Sequence, residues 1–469
     1  MQTQCSTKSV EFHPLGGRKV VACFDGGAIT SDAGALLLRE CEHATEIIAQ
    51  FARCFRDHRD PALIEHTVEE LVAQRTYAPA LGYEDLNDHD MLRHDPLLAV
   101  LVGKHDPTGQ SRKRASDRGK ALAGKSTLNR LELTPRGVAA DERYKKVEVE
   151  AAAVEQLFVE LFLQAYPTPP EEIVLDLDAT DDPVHGRQEG RFFHGYYDAY
   201  CYLPLYIFCG EHLLCAKLRP SNIDASAGAL DELERIVAQI RARWPEVRIV
   251  IRGDSGFCRE PIMAWCEANG VDYVLGLARN ARLVALVEEA LAQAEALHDE
   301  TGRPARVFVS FAYRTLESWS RTRRVVAKAE HLDKGPNPRF IVTSLEGEAR
   351  WLYEDLYCAR GEMENRIKEQ QLQMFADRTS AATLRANQTR LWFSSVAYTL
   401  IEALRRLALT GTELARAQCE TIRRTLLKIG ARIKISVRRL WVSLSESCPI
   451  AELFLRIYNN LHRLIARRC

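Results

Sequence analysis

Four aspartates fall within seven positions of the stretch VLDLDATDDPVHG (174–186): Asp176, Asp178, Asp181 and Asp182. Carboxylates set so closely behind an apolar run are costly to bring near a core unless a cation meets them. In a strand, side chains alternate between faces, so Val174, Asp176, Asp178 and Thr180 share one face, opposite Ile173, Leu175 and Leu177. Asp181 and Asp182 come after the strand and before Pro183, where aspartate is an ordinary turn residue. The chemistry narrows to Asp176 and Asp178, and strand parity does not choose between them.

Another aspartate, Asp254, closes the apolar run VRIVIRGD and precedes the flexible SGF. Ligands of open α/β sheets sit beyond the C-terminal ends of strands, and Asp178 and Asp254 both occupy such ends. They are 76 residues apart, with an amphipathic stretch at 226–244 as the crossover, so their strands can lie parallel and side by side. Two carboxylates there repel unless a cation joins them. Hard oxygen ligands at an open site suit Mg2+ or Mn2+, and two such ions, roughly 3.5–4 Å apart, could activate an attacking oxygen and steady a leaving one in phosphodiester displacement. The plainer alternative has Asp254 capping the next helix and Asp178 making a turn bond. GDSG also echoes the serine-protease nucleophile motif, but Ser255 lies in a strand-to-loop context with no paired His or Asp motif, and that match is set aside.

A third ligand should come from a separate element. YEDLYCARGEMENRIKEQQLQMF (353–375) has the composition of a helix, with Tyr357, Arg360, Glu364, Lys368 and Gln371 at spacings of three and four on one face. Such a face can give one carboxylate to a metal while its cationic neighbours hold phosphates. A solvated charged face is the alternative.

These residues need a frame. EEIVLDLDAT, VRIVIRGD and VDYVLGLA read as strands, and GYYDAYCYLPLYIFCG with EHLLCAKLRP reads as two strands joined through Gly210 and Glu211. Residues 226–244 form an amphipathic helix with Leu230, Leu233, Val237, Ile240 and Trp244 along one stripe, and REPIMAWCEANG is a helix closed by Gly270. Strands separated by helices argue for an α/β domain with a partly parallel sheet. Residues 280–345 break the rhythm with charged segments and short β-like pieces, RVFVSFAYR, RRVVAKAE and RFIVTSLEG, and read as a β-rich insertion. Residues 1–165 read as mainly helical after a short extended start, with Ser126 and Thr127 as candidate N-caps in KSTLNRLELT. AYPTPPEE (165–172) reads as a linker, and from 350 onward the pattern reads as helical to the end.

At 469 residues the chain is too long for one ordinary core. Its net charge of −1 gives the whole molecule no basic excess, but charge is unevenly spread. Residues 110–146 hold 11 Lys/Arg against 4 Asp/Glu, and residues 401–469 hold 14 against 5. Two basic segments on a neutral chain suggest a polyanion met at particular surfaces, against the alternative of solvated helical faces. The 13 cysteines include no Cys-x-x-Cys pair, which predicts reduced, mostly buried thiols. There is no apolar leader and no apolar run of 18 residues, so a soluble, cytoplasmic protein is expected.

The residues together resemble the DDE transposases of bacterial insertion sequences, in particular the insertion-sequence 1380 family. The resemblance rests on aspartates at two strand ends, a glutamate on a later helix, and Tyr-x-x-Arg-x-x-x-Glu as Tyr357, Arg360 and Glu364. LDLDAT, VHGRQEG, LRPSNIDAS, IRGDSGF, YVLGLARN, SWSRTRRVVAK, NPRFIVTSL and ARGEMENRIKE follow in order, preceded by STLNRLE, so it spans roughly residues 15–410.

The resemblance implies an RNase H-like catalytic core with a β-rich insertion after its fifth strand, flanked by mainly helical terminal regions. The corresponding domains are 1–165 for end binding, 166–279 and 346–405 for the two parts of the core, 280–345 for the insertion, and 406–469 as a basic helical region. It implies a triad of Asp178, Asp254 and Glu364 holding Mg2+, with Mn2+ as a substitute, and so selects Asp178 over Asp176, leaving Asp176 as a supporting group. Tyr357, Arg360 and Lys368 would contact DNA phosphates. Trp319 would stack an extruded base, with Arg323 and Arg324 beside it in SWSRTRRVVAK, although a core tryptophan fits that segment too. The wider motif has a lysine where this chain has Gln371, which bonds a phosphate oxygen but brings no charge. The implied partners are terminal inverted repeats, target DNA and a second copy of the chain on paired ends, in a bacterial cytoplasm and on the nucleoid when DNA-bound. The alternatives are a nuclease that only hydrolyses and an inactive end-binding protein.

Overall fold

The apolar runs of residues 172–343 assemble into one mixed sheet. Its strands are β1 (Glu172–Ala179), β2 (Leu205–Cys209), β3 (His212–Lys217), β4 (Arg248–Gly253), β5 (Asp272–Leu277), β6 (Ala305–Tyr313), β7 (Arg323–Leu332) and β8 (Arg339–Thr343). In space they run β3-β2-β1-β4-β5-β8-β7-β6, and the two-residue strand Gly335–Pro336 pairs with β7. β1, β4 and β5 are mutually parallel, as the strand-end argument requires, and the other neighbours are antiparallel. This computed structural model describes residues 9–139 and 141–466. They form two compact units, one of residues 150–395 and one of the residues up to 149 together with those from 396 onward.

Both faces of the sheet are covered, which is why its strands read as near-continuous apolar runs. On one face Leu175, Leu177, Ile249, Ile251, Tyr273 and Leu275 pack against helices α1 (Ala151–Ala165), α2 (Ala229–Arg243) and α3 (Glu260–Ala268). α2 is the crossover between β3 and β4. It buries Leu233, Ile236, Val237 and Ile240, carries Asp231 and Glu232 in its first turn, and ends with Arg241 and Arg243, which suits the helix dipole. On the other face Val250, Val274, Val326 and Ile341 pack against Leu352 and Tyr353.

The three β-like pieces at 280–345 are all strands, and through β8 on β5 they form the far half of the same sheet. A helix, α4 (Glu288–Thr301), packs against β6 and β7. The proline-rich stretch near 166–171 joins α1 to β1 within one unit, because α1 packs on β3 and α2.

The other unit contains an antiparallel hairpin (Ser9–Leu15 with Arg18–Cys23) and several helices, including Val68–Leu81, whose N-terminus is closed by a reciprocal Thr67–Glu70 capping box. The KSTLNRLELT helix spans Lys125–Leu133, and Gly124 takes the capping position. Ser126 and Thr127 lie inside its first turn, which corrects their reading as caps. The expectation of helix to the end is also corrected. Ala431–Ile435 and Leu440–Leu444 are strands in a three-stranded sheet with Ala28–Thr30. ARIKI alternates apolar and basic residues, and this period of two was masked by basic, helix-like flanks. Within the basic tail, Arg405 and Arg423 are buried, and Arg423 donates to the carbonyls of Pro79 and Ala80 at the end of the Val68–Leu81 helix, so part of that charge is structural. The 11 described cysteines are all free, and most are buried, as expected. Among the described residues no helix is long and apolar enough to cross a membrane.

Candidate active site

Successive positions on one face of three neighbouring parallel strands carry the site: Val174, Asp176 and Asp178 on β1, Val250, Arg252 and Asp254 on β4, and Val274 and Gly276 on β5. The register pairs Asp176 with Arg252 and Leu177 with Gly253. Asp178 and Asp254 are therefore the next residues along two strands lying about 4.8 Å apart. Asp254 does not cap α3, where Arg259 holds the N-cap position. Its Oδ1 accepts the Gly256 N–H at 2.8 Å in a local turn.

The third carboxylate arrives on the helical run that crosses this face. The run is not a uniform helix. It widens to π geometry over Leu352–Tyr357, tightens to 3-10 geometry over Cys358–Arg360, is α over α5 (Gly361–Lys368), and widens again over Glu369–Gln373. Such interruptions cluster at functional sites, where they re-aim side chains. Here the widened turn ends at Tyr357 and the tightened one at Arg360.

Arg360 joins the carboxylates. Its guanidinium donates to Asp178 Oδ1 at 3.2 Å and to Glu364 Oε1 at 2.9 Å. Burial pushes the Asp178 carboxyl up to about 6; Arg360 opposes this, while Asp254 and Glu364 add to it. Register puts Asp178 and Asp254 at the ends of adjacent strands, and Arg360 ties Asp178 to Glu364. Burial works against the charge of Arg360, but Asp178, Tyr357, Glu364 and Asp254 outweigh it and hold its pKa above the ordinary value. Burial also raises the Tyr357 phenol, with Arg360 opposing and Asp254 adding. Among the described residues no group of three or more His, Cys, Asp or Glu side chains is arranged to hold a metal ion as it stands. In this arrangement the cation shared by Asp178 and Glu364 is the Arg360 guanidinium. Carboxylate oxygens are the hard donors that a divalent cation takes, and two of them here already share one cation.

Two supporting residues were missed in the sequence. Arg252 lies deep in the sheet, donates to both oxygens of Asp176 (2.8 Å to Oδ2), and donates to the Leu356 carbonyl of the crossing run. It thus fixes the turn that presents Tyr357. The signal was present: an arginine inside the apolar run VRIVIRGD needs a buried carboxylate partner. Gly276 is the second. A Cβ there would lie 2.6 Å from the Tyr357 hydroxyl and 2.9 Å from the Ser255 nitrogen, so only glycine permits this approach. A lone glycine within the strand run YVLGLA was its signal.

The other candidates lie elsewhere. Lys368 is exposed at the end of α5, and Gln371 donates to the Asp181 carbonyl at 3.0 Å, tying the run to the end of β1. Asp182 is not the simple turn residue expected. It pairs with Tyr202 in a short strand, and burial raises its carboxyl. Trp319 is 4% exposed, edge-to-face with Tyr313 at 5.7 Å and beneath Arg323. Arg323 is buried too, held by Glu260 and Glu267, and Arg324 donates to the carbonyls of Leu345 and Gly347.

A family model described as transposase DDE domain group 1 matches residues 12–466, nearly the whole chain. No curated protein matches it.

Proposed function

The chain belongs to the transposase DDE domain group 1 family, and from that premise we propose that it cuts the ends of a bacterial insertion sequence with Asp178, Asp254 and Glu364 and joins them to target DNA. Members of this family act on DNA and generally use divalent metal ions. Within it, the Tyr357–Arg360–Glu364 spacing supports placement in the insertion-sequence 1380 group. The run β3-β2-β1-β4-β5, with acidic residues at the ends of adjacent parallel strands, supports an RNase H-like core. On this reading residues 166–279 and 346–405 supply the core, strands β6–β8 extend it, and the terminal regions bind DNA ends. The protein works in the cytoplasm as a homodimer on paired terminal inverted repeats.

The observation that carries the reading is Arg360 bridging Asp178 and Glu364, with Asp254 at the end of the strand next to that of Asp178. Asp178, Asp254 and Glu364 would hold Mg2+, or Mn2+ in its place, which when bound supplies Lewis acidity at the scissile phosphate. Arg360 keeps its charge and, with the carboxylates given to the metal, would be free to donate to a phosphate oxygen. The Tyr357 phenol, protonated at neutral pH like any tyrosine and held so by burial, donates a second hydrogen bond to the DNA backbone. Lys368, exposed on the same helix, provides a point charge further along the strand. Trp319 and Arg323 are assigned to the sheet core, and Arg324 to the Leu345–Gly347 turn.

Asp254→Ala tests the reading. It is expected to leave end binding intact and to abolish Mg2+-dependent cleavage; cleavage retained by that variant removes Asp254 from the mechanism. A product assay addresses the rest. Joined products with a short target duplication mark transposition, nicks alone mark a nuclease, and binding without turnover marks an inactive copy.

A further inference from the structure

Between β1 and β2 the chain forms an aromatic hairpin. Phe192–His194 and Ala199–Tyr202 pair antiparallel, with Phe193 opposite Tyr200. Those rings meet edge to face at 5.6 Å, and the Arg191 guanidinium lies over Tyr200 at 4.6 Å. At the tip Tyr196 and Tyr197 meet edge to face at 5.0 Å. The outer rings serve no core: Phe193 is 53% exposed, Tyr200 51% and Tyr196 86%. Large apolar surface gathered in the open marks an interaction site. Its root is the active site itself, because the Tyr197 hydroxyl donates to the carbonyl of Ala179, the residue after Asp178, at 3.4 Å.

Resting on the DNA-cutting reading above, we propose that this hairpin is a stacking platform for unpaired bases flanking the scissile phosphate. Every base has a π-face, so exposed rings hold unpaired nucleotides with little regard to sequence. An arginine set over a ring can offer N–H groups to phosphate while adding a cation–π contact. Phe193, Tyr200 and Tyr196 take the base faces, and Arg191, with exposed Arg187 nearby in sequence, meets the backbone between them. This chemistry suits nucleic acid better than a protein surface, since a guanidinium lies over one of the exposed rings and the hairpin follows the strand that bears Asp178.

The test is fluorescence anisotropy of the full-length protein in EDTA, with a labelled ten-nucleotide oligothymidylate and a blunt duplex of equal length. Phe193→Ala with Tyr200→Ala is expected to weaken oligothymidylate binding by about five- to a hundredfold, from the stacking lost per base. Duplex binding should change far less, and Phe193→Trp should keep the affinity. Tyr196→Ala, at the exposed tip where folding is not at stake, should weaken oligothymidylate binding by about fivefold. Unchanged oligothymidylate affinity in both variants overturns the proposal. So does an equal loss with Phe193→Trp, or a change of oligomeric mass with oligonucleotide affinity intact, which would make the hairpin an interface between copies. Failure of the underlying reading shows separately, as absence of metal-dependent cutting by the wild-type protein whatever the oligothymidylate result.

Discussion

Two acidic positions two residues apart on β1 have opposite fates. Asp176 is buried, faces Arg252 in register on β4, and is held by both of its oxygens. Asp178 stands one pleat nearer the strand end, partly exposed, and shares Arg360 with Glu364. Both pairs join a carboxylate to an arginine on the same face of the same sheet. The difference is water and sharing. An ion pair sealed in the sheet with fixed partners is a strut, and removing one half strands the other in low dielectric. A pair at the rim, whose arginine is divided between two carboxylates and whose neighbour Asp254 repels, can exchange its cation.

Arg252→Met should break the strut most severely. It leaves Asp176 buried without its partner, at a cost of about 3–5 kcal/mol in urea unfolding. Asp176→Val combined with Arg252→Met should recover much of that stability yet cut slowly, because Leu356 loses its tether and Tyr357 its position. Full activity in that double variant would show that the strut does not serve the site. Gly276→Ala should cost about 1–3 kcal/mol by overpacking against the Ser255 backbone and displacing the Tyr357 hydroxyl, with cleavage falling alongside.

Asp178→Asn should act in the other direction on stability. The folded carboxyl titrates near 6, above its unfolded value, so the native state binds the extra proton between about pH 4 and 6 and the wild type loses stability as pH rises through that window. The amide variant should therefore be more stable by about 1–3 kcal/mol at pH 8, with the advantage gone at pH 4, while cleavage is abolished. A constant difference across that range would mean that burial and the neighbouring Asp254 and Glu364 do not raise the Asp178 carboxyl. Arg360→Ala should have the smallest effect on binding. Losing one phosphate contact should flatten the slope of log affinity against log salt by about 1, where an arginine confined to the carboxylates would leave the slope unchanged.

Much of this was legible in the sequence. Period-two alternation placed Asp176 and Asp178 on one face, the apolar runs gave the central strands, and the amphipathic stretch at 226–244 gave the crossover that makes β1 and β4 parallel neighbours. The irregular 352–373 run was less legible. A regular helix was the only face the spacing could describe, whereas the run that packs Leu352 and Tyr353 onto the sheet passes through π and 3-10 turns. The Ala431–Ile435 strand and its hairpin partner Leu440–Leu444 were obscured by basic, helix-like flanks, and their third strand, Ala28–Thr30, lies some 400 residues away.

What the sequence determined by itself was the set of chemical groups and the faces they occupy, since alternation is fixed by backbone geometry within a few residues. Which arginine joins which carboxylate was decided only in three dimensions. Register matched Arg252 to Asp176, and the crossing run carried Arg360 to Asp178, while burial sealed one pair and left the other at the strand ends. Such pairings depend on the distance and dielectric between segments remote in the chain, and these exist only once the sheet has formed.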